Sequence, residues 1–358
     1  MVLALFAIIL TLVLVIGIHE AGHALAAYYF GVKIKKVSLG FGKPLLSWQT
    51  RSGCQWVWAF WPLGGYVQLE NTRISTESSL DKTEYFDKKP IWQRLVILLA
   101  GAFANVITAW CAFMLVYLLG LNYTPPIVKT VAANSIAAKA GIKAGDEITG
   151  LNYQATPSWS EVGMQLVRSW GQENIPITIA RASASIQVLS INLKNVPLNG
   201  VKGNLLTTLG IEAQQQAPKK NLRAHSLSEA WHMTHHSFKE FMIFFFMIFK
   251  QLLSGTIPFS LLLGPLGVFA ASVASFTQGF SVFMYFIATL SLAVAVVNLL
   301  PLPGLDGGSI IYAVIEKVRK RPVSVALEVL LHRLAFIILC LVMVHLLMND
   351  LQRYFGSS

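Results

Sequence analysis

The chain has 358 residues, of which 54% are hydrophobic and only 13% are charged, with 28 Lys and Arg against 17 Asp and Glu. Soluble globular proteins carry about 25% charged residues, so this composition excludes an ordinary cytosolic enzyme and a disordered chain. The net charge of +11 is typical of membrane proteins with basic cytoplasmic loops, and we expect no nucleic-acid partner.

Four apolar stretches are each long enough to cross about 30 Å of hydrocarbon as a helix. They cover residues 2–30, 95–121, about 280–300 and 329–348. A fifth run, 241–263, is interrupted by Lys250 and Pro258. We expect this run to lie at the membrane interface, with a crossing helix as the alternative. The predicted fold class is an α-helical polytopic membrane protein with about four transmembrane helices.

Basic residues are concentrated in the connections that follow the first and third of these stretches. Residues 31–94 hold ten Lys and Arg, and four more stand at Lys317, Arg319, Lys320 and Arg321. The positive-inside rule therefore predicts that both connections are cytoplasmic. Both termini and the long connection from 122 to about 237 are then expected on the outer side of the membrane.

The first apolar stretch contains His19-Glu20-Ala21-Gly22-His23, the pattern HExxH. On a helix, the i, i+4 spacing brings both imidazoles to one face, where they can hold one metal ion within reach of Glu20. Ionisable side chains within the hydrocarbon cost several kcal/mol unless they are paired, hydrated or metal-bound. Their position therefore favours a functional site over a set of polar side chains that only satisfy one another in a bundle.

The connection 31–94 contains a β-rich region. Its stretches 47–51, 55–61 and 65–69 are rich in Trp and Val and predict short strands beside the HExxH motif. An edge strand at this place could pair with an unwound substrate segment. Gly65, Tyr66 and Val67 are the candidate substrate contacts, and a hairpin that only caps the bundle is the alternative.

The outer connection predicts one compact domain of strands and short helices. Alternating Val, Ile and Thr at 175–179 and 186–193 predict strands, and the apolar period of 158–170 predicts a helix. Residues 135–148 resemble the helix, glycine stop and following strand of PDZ domains, and Leu209, Gly210 and Ile211 resemble their peptide-carboxylate loop. PDZ domains bind an extended peptide at a sheet edge, but a β-domain without a peptide ligand is the alternative.

The segment after this domain holds a second cluster of possible metal ligands, namely His232, His235, His236 and Glu240. The cluster precedes a Phe-rich run and has no second motif to complete a metal site. We therefore expect the exposed face of an amphipathic helix here rather than a ligand set.

A hydrolytic zinc site usually has three protein ligands and one open position. The best third candidate is Asp306, in the segment 298–308 at the inner end of the third apolar stretch. Pro301 and Pro303 break a helix there, and the neighbouring glycines let the chain turn the carboxylate back into the bundle. From spacing alone, a turn or N-cap aspartate without a ligand role is equally expected.

The predicted organisation has four parts. Residues 1–121 hold the first two transmembrane helices with the β region 31–94 between them, and 122–215 form one PDZ-like domain. Residues 216–279 form a juxtamembrane amphipathic segment, and 280–358 hold the last two transmembrane helices with the motif LDGG.

These features together resemble the site-2 protease family of intramembrane zinc metalloproteases, most closely its bacterial RseP-type branch. The resemblance runs in family order over nearly the whole chain, through HExxH, 37–43, 62–67, 101–105, the PDZ-like domain, Gly264-Pro265 and the NxxPxPxLDGG segment 298–308. Two features depart from the family pattern. The chain has room for one PDZ-like domain where close relatives usually have two, and Ala102 follows Gly101 where the family often has Gly-Pro.

The resemblance implies a zinc metalloendopeptidase with one Zn²⁺ ion. His19, His23 and Asp306 would be the ligands, and Glu20 would be the general base that takes a proton from water and passes it to the leaving amine. The family pattern further suggests that Asn105 and Asn298 bind the substrate backbone or the oxyanion. A hydrogen bond between helices is the alternative for each of these two asparagines.

The resemblance also implies substrates and a location. Substrates would be single-span membrane proteins already cut outside by another protease, such as an anti-sigma factor, and remnant signal peptides. The protein would lie in a bacterial inner membrane, with both termini and the PDZ-like domain in the periplasm and the active site near the cytoplasmic side. The alternative function is a non-catalytic membrane receptor or scaffold with a peptide-binding PDZ domain. Glu20 argues against it, because a structural metal site has no use for a general base.

Overall fold

The computed structural model describes residues 1–51, 53–73, 81–181, 185–194, 196, 205–214 and 216–355. Its helices are α1 (Val2–Leu12), α2 (Ile18–Tyr29), α3 (Ile91–Leu119), α4 (Ile136–Ala140), α5 (Trp159–Ser169), α6 (Leu205–Leu209), α7 (Leu227–Leu253), α8 (Pro265–Gln278), α9 (Phe280–Asn298), α10 (Asp306–Arg319) and α11 (Val325–Phe355). Its strands are β1 (Ile34–Gln49), β2 (Gln55–Leu69), β3 (Leu121–Tyr123), β4 (Val128–Val131), β5 (Glu147–Leu151), β6 (Gln154–Ala155), β7 (Ile175–Ala180), β8 (Ile186–Ile191), β9 (Ile211–Ala213) and β10 (Lys220–Leu222).

Five helical stretches among the described residues are long and apolar enough to cross a membrane. They are Val2–Tyr29, Ile91–Leu119, Phe259–Gln278, Phe280–Asn298 and Val325–Arg353. Four of them contain or overlap the four predicted stretches. The stretch Phe259–Gln278 is additional, and it shares only its beginning with the run 241–263 that the sequence assigns to the interface. The number of helices that actually cross stays a prediction.

By its internal contacts, the chain forms two units. The first consists of Met1–Leu115 and Pro265–Val344, and the second of Val116–Gly264 and His345–Ser358. In the first unit, α1 continues into α2 through one π-helical turn, Val13–Gly17. Such turns are frequent at functional sites, and this one directly precedes the HExxH motif.

The apolar interior of the first unit lies where the first helical stretch meets α8 and α9. Val15, Phe283 and Ile287 are buried there, and Phe276 packs edge-on against Phe283. This cluster fixes the position of the HExxH helix relative to α8 and α9, the helices that precede the segment 298–308.

The β region of the first unit is larger than predicted. The sequence predicts strands at 47–51, 55–61 and 65–69, whereas β1 already begins at Ile34 and β2 runs unbroken to Leu69. The beginning of β1 pairs antiparallel with the end of β2, with Val37 opposite Val67 and Leu39 opposite Gly65. Lys35, Lys36 and several glycines interrupt the apolar alternation of β1, so its pairing with a distant stretch was not visible locally.

The second unit contains a four-stranded antiparallel sheet in the order β6-β5-β7-β8 and a separate pair, β4 with β9. The predicted strand at 175–179 and helix at 158–170 are confirmed as β7 and α5. The strand predicted at 186–193 is confirmed as β8, which ends two residues earlier at Ile191. Leu151, Leu166 and Ile177 are among the fully buried side chains that join these elements into one core.

A buried ion pair lies in this second unit. Asp146 is 1% exposed and accepts two hydrogen bonds of 2.8 Å from the Arg181 guanidinium and a third, also 2.8 Å, from the backbone N–H of Lys143. Burial alone raises the pKa of the Asp146 carboxyl, but these hydrogen bonds outweigh it and hold that pKa below its usual range.

Candidate metal centre

Two buried histidines and one carboxylate meet in the first unit. His19 and His23 lie one turn apart on α2 and are 6% and 8% exposed. Asp306, the first residue of α10, places Oδ2 3.2 Å from Nε2 of each histidine. The two Nε2 atoms are themselves 3.2 Å apart. Among the described residues, these three form the group of side chains that could hold a metal ion.

The spacing of these atoms fits a tetrahedral ion. Ligand atoms about 2.0–2.1 Å from a tetrahedral Zn²⁺ lie about 3.3 Å from one another, close to the three separations of 3.2 Å. Asp306 Oδ2 is also buried and has no hydrogen-bond partner of good geometry in the described chain. A buried polar atom without a partner is costly, and a cation between the three atoms would satisfy it.

Neighbouring groups orient the two imidazoles. His23 Nδ1 donates to the carbonyl oxygen of Ile97 at 2.8 Å, which leaves Nε2 unprotonated and available to an ion. His19 Nδ1 lies 3.4 Å from the side-chain amide of Asn105, whose Oδ1 is buried without a partner in the described chain. The structure therefore brings the predicted Asn105 to the site, beside an imidazole.

The turn before α10 explains how Asp306 reaches the histidines. Pro301 and Pro303 stop the helical path after α9, and α10 starts again at Asp306 from an extended Leu305. An acidic residue in the first helical turn is favoured by the helix dipole. Asn298 is the last residue of α9 and is half-buried, and its role stays a prediction.

Glu20 lies on the same helix and contacts the end of β2. It is 6% exposed, and its carboxylate lies near the backbone of Val67. A Cβ atom added to Gly65 would lie 2.9 Å from Glu20 Cγ, so the strand passes as closely as a glycine permits. The predicted substrate contacts Gly65, Tyr66 and Val67 therefore lie on a strand that runs beside the predicted base.

Gly101 is a residue of the site whose role the sequence analysis missed. It stands inside α3, and a Cβ atom there would lie 2.7 Å from both Cδ2 and Cε1 of the His23 ring. Glycine within a long helix costs about 1 kcal/mol relative to alanine. A glycine kept inside a helix despite this cost can indicate that another group packs closely against the helix. Here that group is the His23 ring.

The second predicted cluster does not form a comparable site. His232, His235 and His236 lie on α7 and are exposed, in agreement with the predicted exposed helix face. Glu240, on the same helix, accepts hydrogen bonds from Arg168 and Gln165 of α5. This glutamate therefore joins two helices of the second unit.

The predicted peptide loop lies at the end of α6. Leu209 and Ile211 are 3% and 2% exposed and belong to the core of the second unit, and Gly210 forms the turn between α6 and β9. The Gly210 N–H donates to the Thr207 carbonyl, and the Gly210 carbonyl accepts from the Ala132 N–H, so both backbone groups of this glycine are hydrogen-bonded within the unit.

Comparison with known proteins gives one family and several relatives. The profile of peptidase family M50 matches residues 7–342. The regulator of sigma E protease of Haemophilus influenzae is 24% identical over 432 residues, which cover 96% of this chain and 98% of that protein. The regulator of sigma-E protease RseP of Escherichia coli is 27% identical over 438 residues, with coverages of 96% and 97%. A Rickettsia conorii protein named as a candidate zinc metalloprotease is 28% identical over 362 residues, with coverages of 99% and 100%.

The lengths of these alignments differ in a consistent way. The alignments with the two sigma-E regulators span 432 and 438 positions, although this chain has 358 residues. The alignment with the Rickettsia protein spans 362 positions. This chain is therefore shorter than the two regulators, as is the Rickettsia protein.

Proposed function

The chain belongs to peptidase family M50, the site-2 protease family, and from that membership we propose that it is an intramembrane zinc metalloendopeptidase. Its substrates would be single-span membrane proteins, cut within the membrane-spanning segment. The observation that carries the proposal is the convergence of His19, His23 and Asp306. The buried Glu20 lies on the same helix as the two histidines. His19, Glu20 and His23 lie within one helical stretch long enough to cross a membrane, and Asp306 lies between two others.

His19, His23 and Asp306 would hold the zinc ion. When bound, zinc polarises the scissile carbonyl and makes water a better nucleophile at neutral pH. Glu20 would take the proton of the attacking water and deliver it to the leaving amine. The strand at Gly65 packs against the Glu20 side chain, and the burial of Glu20 excludes bulk water from the proton transfer.

Two asparagines are proposed to hold the substrate. Asn105 has a buried amide beside His19, where it can donate to a peptide carbonyl or to the developing oxyanion. Asn298, at the end of α9, would bind the substrate backbone from the side of the NxxPxPxLDGG segment.

A helical substrate must unwind before attack, because its peptide groups are closed in the helix ladder. Residues 65–69 of β2 pair with β1 on one side only, and in the described chain no strand pairs with their other side. We propose that Gly65, Tyr66 and Val67 pair there with the unwound substrate and replace its lost hydrogen bonds. This places the peptide alongside Glu20.

The bilayer is the second proposed partner of the β region. Phe41, Trp48, Phe60 and Trp61 are between 47% and 58% exposed on β1 and β2. A soluble surface rarely exposes so many aromatic side chains together, and lipid would cover them. The β region would thus meet substrates inside the membrane.

The relatives support a regulatory role. Two of them are named regulator of sigma E protease. We propose as substrates an anti-sigma factor already cut outside by another protease, and remnant signal peptides. The protein would lie in a bacterial inner membrane with both termini in the periplasm. Residues 122–215, within the second unit, would be the PDZ-like domain, and the loop Leu209–Ile211 would receive the new carboxyl end of the substrate.

The test combines cleavage with metal analysis. Full-length protein in detergent, with Glu20→Gln beside wild type, is incubated with a model transmembrane peptide. We expect the variant to keep its zinc and its folded state but to lose cleavage. A variant that cleaves at the wild-type rate removes Glu20 from the mechanism. Wild type that binds the peptide without ever cleaving it favours the receptor alternative.

A further inference from the structure

The helix that carries Asp306 has no large side chain that is fully buried. The buried residues of α10 are Gly307, Gly308 and Ala313, which present almost no side-chain surface to the rest of the unit. Hydrophobic burial scales with apolar area, so these residues hold α10 in place only weakly. A metal site, in contrast, tolerates ligand displacements of about 0.2 Å.

A specific polar contact lies at the other end of α10. Arg94, in the first turn of α3, is 7% exposed, and its Nη1 donates to Glu316 Oε1 at 2.9 Å. The guanidinium also lies over the Phe86 ring, 5.3 Å from its centroid. A buried arginine is costly unless it is paired, so its ion pair with Glu316 is a strongly preferred arrangement.

Both helices also contact the histidines of α2 at the metal centre. Glu316 follows Asp306 by ten residues, which is about 15 Å along a helix. On α3, Arg94 precedes Asn105 by eleven residues, which is about 16 Å. Asn105 contacts His19. The two helices are thus linked through the imidazoles of α2 at the metal centre, and the ion pair of Arg94 with Glu316 ties them to each other directly.

We propose that the ion pair between Arg94 and Glu316 fixes the position of α10 along α3 and thereby sets Asp306 against the two imidazoles. Both are positioning residues that act through Asp306, and their effect is to tighten the hold on the metal ion. This inference rests on the zinc site of the proposed function. It adds that the site's affinity depends on a contact outside the ligand set.

A second ion pair in the same unit serves as a matched control. Arg73 Nη1 donates to Glu328 Oε1, also at 2.9 Å, and its Nη2 donates to the Val323 carbonyl. Glu328 lies on α11, so this pair ties a different helix. Loss of the Glu328 carboxylate would loosen the unit, while the Arg73 bond to Val323, in the connection that follows α10, would remain.

The experiment measures zinc affinity by competition with a chelator, using zinc-loaded full-length protein in detergent. Loss of contacts that support metal ligands typically weakens affinity 10–100-fold. We expect at least a tenfold loss for Arg94→Gln and for Glu316→Gln, with no further loss in the double variant. The exchanged pair Arg94→Glu with Glu316→Arg should recover most of the affinity, excess zinc should restore cleavage, and the control Glu328→Gln should match wild type.

The outcomes separate this inference from the function on which it rests. Wild type that binds no zinc overturns the proposed function. Wild-type affinity in Glu316→Gln, with zinc bound normally, overturns only the positioning role, as does an equal loss in Glu328→Gln. Glu316 has a side chain 25% exposed, so its glutamine variant decides the matter if Arg94→Gln does not fold.

Discussion

Replacing Gly101 by alanine tests the geometry of the metal centre with one methyl group. The added Cβ would lie 2.7 Å from two ring carbons of His23, whereas ordinary contacts begin near 3.4 Å. The His23 ring cannot move away freely, because its Nδ1 is hydrogen-bonded to the Ile97 carbonyl oxygen. Overpacking of this kind destabilises a protein by about 1–3 kcal/mol. Replacing glycine by alanine inside a helix stabilises it by only about 1 kcal/mol, so the clash should outweigh the gain in helix propensity.

The expected result of Gly101→Ala is a loss of metal rather than of fold. The ring atom closest to the added Cβ is Nε2, the ligand atom itself. Relieving the clash therefore requires a shift of at least roughly 0.7 Å, which exceeds the tolerance of about 0.2 Å for metal–ligand distances. We expect zinc affinity to fall at least about tenfold, with cleavage falling in parallel. The assay is chelator competition on full-length protein in detergent, with thermal unfolding recorded alongside.

Gly163→Ala is the matched control for this change. Gly163 is an interior residue of α5, and a Cβ atom there would meet nothing within 4 Å. We expect unchanged zinc affinity and a stability gain of up to about 1 kcal/mol. Zinc affinity at the wild-type level in Gly101→Ala would refute the close contact with His23.

The remaining predictions concern the base, the second histidine cluster and the second unit. Gly65→Ala should lower the cleavage rate while zinc content stays constant, since its Cβ meets Glu20 and not the ligands; loss of zinc would contradict this. His232→Ala with His236→Ala should retain zinc and cleavage, because both side chains are exposed and belong to no ligand group among the described residues; loss of both would move the site to α7. Asp146 has a lowered pKa in the folded state, so it stabilises the protein above about pH 4 and loses this effect as pH falls through the lower folded pKa. Chemical unfolding of full-length Asp146→Asn should therefore show a deficit at pH 7 that shrinks at acid pH, and a constant deficit would refute the assignment.

The ligands of the metal site could be predicted from the sequence more completely than the packing of the helices around them. The pair His19 and His23 follows from helical spacing alone, because i and i+4 side chains share a face. Asp306 required the family resemblance, since an aspartate before two glycines is as often a turn residue. Its position next to the imidazoles depends on how distant helices pack, which no local pattern encodes.

Contacts between distant residues account for what was missed. The ion pair of Arg94 with Glu316 joins residues more than two hundred positions apart, and Gly101 has meaning only beside His23. The beginning of β1 likewise pairs with the end of β2, across the rest of the hairpin. Helices and strands with clear periodicity, such as α5 and β7, were predicted within one residue at each end.

Zinc analysis of wild type against Asp306→Ala, with cleavage of a transmembrane peptide measured on the same samples, tests the central claim most directly. Wild type should retain one zinc ion per chain and cleave the peptide. Asp306→Ala should hold its zinc far more weakly and should not cleave, although it stays folded and in solution in detergent. Full zinc occupancy and normal cleavage in Asp306→Ala would contradict the assignment of this carboxylate as the third ligand.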